Sequence, residues 1–200
     1  PPASHCRSSH TIAGDRIRAA SLLALLGWGS RWGSGMIEYM ATSFTFELRS
    51  ELAAPAEEVW NHATTMAGVN EELGPWVRMT HPAELRDLTT APPDLLGSVA
   101  FESWLLAFGF LPFDRHAMRL MEIDDRGADG GSFVEDSTTW LQKRWRHERS
   151  VAPVADGTCA VTDRLVVEPR LGLARAIVTR IVPWLFGRRH RKLVARFGRP

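Results

Sequence analysis

From Thr42 onward the chain settles into regular alternation. The stretch FTFELRSEL sets Phe44, Phe46 and Leu48 against Thr45, Glu47 and Arg49, the period-two pattern of a strand with one face in water. AAPAEEVWNHATTM changes to helical character: Pro55 stands at a helix start, acids fill the first turn, and Val59 and Trp60 are apolar anchors. AGVNEELGPW predicts a second short helix, closed at Gly74-Pro75. After WVRMTH and a proline-rich loop from Pro82 to Asp94, GSVAFESWLLAFGF predicts a long apolar strand. FDRHAMRLMEID continues the sheet across the Gly109–Pro112 bend. SFVEDSTTWLQKRWRHERSV and TCAVTDRLVVEP complete it, turning at Asp156-Gly157. The last stretch, LGLARAIVTRIVPWLFGRRHRKLVARFG, spaces Leu173, Ile177, Ile181, Trp184 and Leu185 as the apolar face of a long amphipathic helix, which Pro183 is predicted to kink.

The order is strand, two short helices, a run of antiparallel strands, then one long helix. That predicts an α+β fold in which a curved antiparallel sheet grips the C-terminal helix, because the concave face of such a sheet cannot bury itself. The chain resembles the START-like helix-grip superfamily, also called SRPBCC, which includes polyketide cyclase/dehydratase-like proteins and lipid-transfer domains. The resemblance rests on ELAAPAEEVWNH after the first strand, GFLPFDRH in mid-sheet, WRHERSVAPVADGTCAVTDRL at the last hairpin and FGRRHRKLVARFG at the end, and it covers residues 42–198. It implies a ligand cavity between sheet and helix. It does not by itself choose an activity, since the superfamily hosts binding proteins, transfer proteins and enzymes.

Residues 1–39 read differently. PPASHCRSSH has no periodicity, and AASLLALLG behind two arginines has the length of a signal-peptide core but is shorter than the roughly 20 apolar residues of a membrane span. The preferred account is a disordered or non-native extension ahead of a start at Met36 or Met40. A cleaved export signal over residues 16–30 is the alternative. Cys6 and Cys159 make neither a disulfide framework nor a metal site, so a reducing, cytoplasmic setting is expected.

The net charge of +1 hides an asymmetry: residues 170–200 hold nine of the 24 basic residues and none of the 23 acidic ones. A basic terminal helix of this kind suits the solvated face of a helix, the preferred reading. It also suits docking on anionic lipid or an acidic partner protein. Arg188, Arg189 and Arg191 are expected to lie outside any ligand cavity.

The basic run LQKRWRHERSV splits by period two into Leu141, Lys143, Trp145, His147, Arg149 and Val151 on one face and Gln142, Arg144, Arg146, Glu148 and Ser150 on the other. The second set belongs in water and the first faces the concavity. A single tryptophan opposite an interrupted charge run is not a nucleic-acid stacking platform, so no nucleic-acid partner is expected. His147 becomes the residue of interest. A hairpin at Asp156-Gly157 brings TDRLV alongside it, and in one register Asp163 is its near cross-strand neighbour. The two form either an acid–base unit or, as preferred for want of a nucleophile motif, a structural pair in a large cavity.

Two more strand faces are candidate cavity walls: Phe101, Ser103 and Leu105, and His116, Met118 and Leu120. Trp145, Leu165, Ile177 and Ile181 join them as ligand-binding candidates. Glu135 and Asp136 face opposite ways and do not make a carboxylate pair. His5, His10, His62, His81 and His190 lack metal-ligand spacing, and the sequence holds no GxGxxG, P-loop or CxxC motif, so neither metal nor cofactor is expected. The expected function is binding of a small hydrophobic molecule, lipid- or polyketide-like. The alternatives are a cyclase/dehydratase-type enzyme using His147 and Asp163, and a docking module.

Overall fold

Strand β1 (Phe44–Leu52) shows the predicted alternation, with each second side chain turned from solvent until Leu52 closes it in the core. It stands at the start of residues 43–200, which are the residues that this computed structural model describes. The expectations for residues 1–39, the export signal included, lie outside the described residues, as does the side chain of Leu173.

Helix α1 (Ala56–Thr64) starts after Pro55, with Glu57 and Glu58 in its first turn. It buries Val59 and Trp60 completely. Thr65 separates it from α2 (Met66–Leu73) and caps α2 by accepting a hydrogen bond from the Gly68 amide. The sheet continues through β2 (Val77–Met79), β3 (Phe101–Ala107), β4 (Leu111–Met118), β5 (Leu120–Asp125), β6 (Gly131–Thr139), β7 (Gln142–Ala155) and β8 (Thr158–Pro169). All neighbours are antiparallel, in the order β1-β8-β7-β6-β4-β3-β2, with β5 also on β6. Helix α3 (Arg175–Phe197) closes the concave side. Among the described residues no helix is long and apolar enough to cross a membrane.

Three boundaries differ from the sequence reading. The strand in GSVAFESWLLAFGF is confined to Phe101–Ala107, because Phe108 and Gly109 turn with positive φ. FDRHAMRLMEID breaks at Arg119, where the β6 residue Ser137 accepts the Arg119 amide proton, and β4 and β5 pair with different parts of β6. SFVEDSTTWLQKRWRHERSV is two strands joined at Trp140 and Leu141, and an irregularity between Gln142 and Arg144 shifts the facing at the start of β7. Gln142 is therefore buried and Lys143 exposed, the reverse of the predicted faces.

The face of α3 is also displaced. Its buried residues are Val182, Phe186, Arg189, His190, Leu193 and Phe197, whereas Ile177, Ile181 and Trp184 are about half exposed. Of the predicted stripe, Ile181 and Leu185 do line the cavity, but apolar spacing missed Arg189 and His190 because these inward residues are cationic or polar. Pro183 lies within α3, where it supplies no N–H for the Thr179 carbonyl.

Candidate functional site

Between the concave sheet and α3 lies a cavity of about 320 Å³. Much of its wall is apolar: Met66, Val69 and Leu73 come from α2, Met79 from β2, and Val182 and Phe186 from α3. Phe113, Leu141 and Ile181 line the cavity and are also exposed, so it opens between the start of β4, the β6–β7 turn and the first half of α3. Near that opening Trp76 packs edge-on against Trp184 and tilted against Phe108, with the Arg188 guanidinium over both tryptophan rings.

Behind the cavity sits a buried ionic network that ties both helices to the sheet. Arg149 on β7 donates through Nε and Nη2 to the two oxygens of Asp163 on β8, each at 2.7 Å, and through Nη1 to Glu72 of α2 at 2.9 and 3.0 Å. Arg189 of α3 donates to the same Glu72 at 2.9 Å. His147 Nε2 lies 2.8 Å from Asp163 Oδ1 and His190 Nε2 lies 2.9 Å from Asp163 Oδ2, so Asp163 is surrounded by donors. Two guanidinium charges and two carboxylate charges thus meet out of contact with water. Unpaired, each would be too costly to bury; joined in this geometry they fix how α2 and α3 sit on the sheet.

The electrostatics follow. Burial alone would raise Glu72 and Asp163, but the charge of Arg149 and its hydrogen bonds more than offset it; both carboxylates are lowered, Asp163 well below the ordinary value. Burial works against the Arg149 charge, yet Asp163 and Glu72 raise its pKa. Burial lowers Arg189, and Arg149 adds to that against the pull of Glu72.

A second pair lies in the cavity wall. His116 Nε2 is 2.6 Å from Glu135 Oε1, and both side chains are buried. Burial would raise Glu135, but the charge and hydrogen bond of His116 bring it below its usual value. Beyond this pair, Asp114, Thr139 and Gln142 bring polar atoms to the same wall.

Of the residues singled out from sequence, Leu105, His116, Met118, Leu120, Trp145, His147 and Ile181 line the cavity. Phe101, Ser103 and Leu165 are buried but lie off its wall, and Ile177 is mostly exposed. His147 and Asp163 are in contact, although not as direct cross-strand partners. His147 lies opposite Leu165 and Arg149 opposite Asp163, so the histidine reaches the carboxylate diagonally. The irregularity between Pro153 and Ala155 sets this register. Arg189, expected outside the cavity, is buried and lines it.

Glu72, Glu135, Arg149 and His190 went unread as site residues. Arg149 carried a usable signal: it falls on the inward face of β7 between His147 and Val151, and a guanidinium there requires buried carboxylates. Glu72 and His190 give no local sign, because their partners stand 77 and 27 residues away. Among the described residues no group of three His, Cys, Asp or Glu side chains is placed to hold a metal ion.

A family model described as "Domain of unknown function" (DUF8410) matches residues 50–197. No curated protein matches the chain. Among solved structures, a protein of Chromobacterium violaceum is similar at 16% identity and a TM-score of 0.56, covering 78% of this chain and 98% of its own. An aromatase/cyclase, ZhuI from Streptomyces sp. R1128, is similar at 12% identity and a TM-score of 0.55, with 77% and 93% covered. A START superfamily protein from Mycobacterium smegmatis is similar at 11% identity and 0.53, with 76% and 96% covered. At these identities the likeness is one of fold, and the fold is the START/SRPBCC helix grip.

Proposed function

We propose that this chain, which belongs to the DUF8410 family, binds a small and mostly apolar molecule between its sheet and its C-terminal helix. The observation that carries this reading is the cavity of about 320 Å³, apolar over much of its wall and polar along one side. That volume is at the lower end of the range of about 300–1,000 Å³ usual for ligand pockets. A lipid- or polyketide-like molecule has the matching chemistry: an apolar body with a few polar groups. The binding domain is taken to span residues 42–198.

A second reading, a cyclase/dehydratase-type enzyme, draws on His147, which lines the cavity with its Nε2 against Asp163. Against it, Asp163 also accepts hydrogen bonds from Arg149 and lies beside His190, which suits a structural anchor better than an orienting group for one histidine.

The test is titration of the purified protein with a naphthalene-sulfonate probe, followed by competition with a long-chain fatty alcohol. Saturable fluorescence enhancement that the competitor reverses is the expected result. A folded protein that shows no saturable binding would refute the reading.

A further inference from the structure

The polar side of the cavity includes a carboxylate with no counter-charge beside it. Asp114 on β4 is 3% exposed, lines the cavity, and forms no ion pair among the described residues. Its Oδ1 accepts the Arg115 and Leu141 amides at 2.9 and 3.2 Å, while its Oδ2 has no hydrogen bond to any described residue. Gln142, 7% exposed, also lines the cavity, and its Oε1 is buried with no partner among the described residues. The two belong to one corner. The Thr139 hydroxyl takes the amides of Leu141 and Gln142, and Thr139 lies opposite His116, two residues beyond Asp114 on β4.

Buried polar atoms are normally paired, and a carboxylate without a counter-charge is costly inside a protein. Gln142 Oε1 is a buried acceptor of this kind, and Asp114 Oδ2, which keeps some accessible surface, is an acceptor on the cavity wall. The guanidinium on the cavity wall, Arg189, already donates to Glu72. From this carboxylate without a counter-charge we infer that the ligand turns a hydrogen-bond donor, a hydroxyl or an ammonium, toward Asp114 and Gln142. The ligand class is thus an apolar body bearing an O–H or N–H group at one end, not an acyl chain ending in a free carboxylate. This rests on the binding function proposed above and specifies its ligand.

A matched naphthalene series separates the possibilities: 2-naphthol, 2-(aminomethyl)naphthalene, 2-methoxynaphthalene and 2-naphthoate, each titrated by calorimetry into the full chain. At least one donor-bearing compound should bind about tenfold or more tightly than the methoxy ether, the loss expected when buried acceptors stay unpaired. Tightest binding by the alcohol indicates a hydroxyl ligand, and by the amine an ammonium. Asp114→Asn keeps an acceptor for the two amides, so it should remove the amine's advantage and spare the naphthol's. Gln142→Leu should diminish the preference for either donor, and serves if the Asp114 variant does not fold. Equal affinity for the ether would overturn the donor inference and leave the cavity reading standing. Tightest binding by the naphthoate overturns it too, sending the polar end to Arg189. If none of the four binds, the binding function itself fails, and the inference with it.

Discussion

Arg149 and Asp163 face each other across β7 and β8 in a two-pronged ion pair, Nε to Oδ1 and Nη2 to Oδ2, both at 2.7 Å and both side chains shut off from water. The third guanidinium nitrogen holds Glu72, so one side chain neutralises parts of two carboxylates on different elements. Arg149→Met keeps the length of the stem and removes the charge. It leaves Asp163 with histidines and Glu72 with Arg189, and should cost about 3–5 kcal/mol, the usual penalty for stripping one member from a buried pair. Denaturant unfolding of the variant and parent measures it; a loss below about 1 kcal/mol would show that the network relaxes freely.

That network also marks what could be read from the sequence. The strands and helices were legible because their periodicity is local: Phe44, Phe46 and Leu48 alternate, and Pro55 and Gly74 bound the short helices. The contact between His147 and Asp163 was legible too, since a two-residue turn at Asp156-Gly157 joins their strands. Facing failed where a bulge intervened, as at Gln142 and Lys143. It failed again where charge sits in the core, as at Arg189 and His190, because an apolar pattern cannot mark an inward cation whose partner is distant in sequence. The acceptor corner of Asp114 and Gln142 needed the β4–β6 pairing, which brings together strands that are not joined by a tight turn.

Acid should destabilise the fold in two stages. Burial lowers His62, so the unfolded chain takes the proton first, and the contribution present above the ordinary value of 6.5 is lost as pH falls through the lower folded value. Glu72, Glu135 and Asp163 are lowered in the folded state, so their contributions are complete above the ordinary values of 4.5 and 3.8 and are lost as pH falls through the folded ones. Asp163, lowered the most, extends the loss to the lowest pH. Unfolding free energies at pH 7, 5.5, 4.5 and 3 should fall throughout, and His62→Gln should flatten only the upper step. A constant stability between pH 4.5 and 3 would contradict the buried ion pairs.

Gly131 opens β6 directly against the Trp60 ring. A Cβ placed there would stand 2.5 Å from the indole Cε2 and 2.5 Å from the Asp124 carbonyl oxygen, too close for either. Since the tryptophan is fully buried and the carbonyl is backbone, neither can yield cheaply. Gly131→Ala should cost about 1–3 kcal/mol, typical of overpacking in a core. Equilibrium unfolding monitored by tryptophan fluorescence reads the cost; an unchanged midpoint would mean that the indole shifts without penalty.

Leu105 projects from β3 into the cavity and is only partly covered by its neighbours. Enlarging it fills cavity space that the proposed ligand would take. Leu105→Trp should therefore weaken binding of the naphthalene-sulfonate probe by about tenfold or more, equivalent to about 1.4 kcal/mol. The melting temperature should hold or rise, because filling apolar volume restores packing contacts. Probe titration and thermal unfolding on the same preparation settle the matter. A variant that melts several degrees lower while binding the probe as before would place the probe elsewhere and make this region of the sheet ordinary packed core.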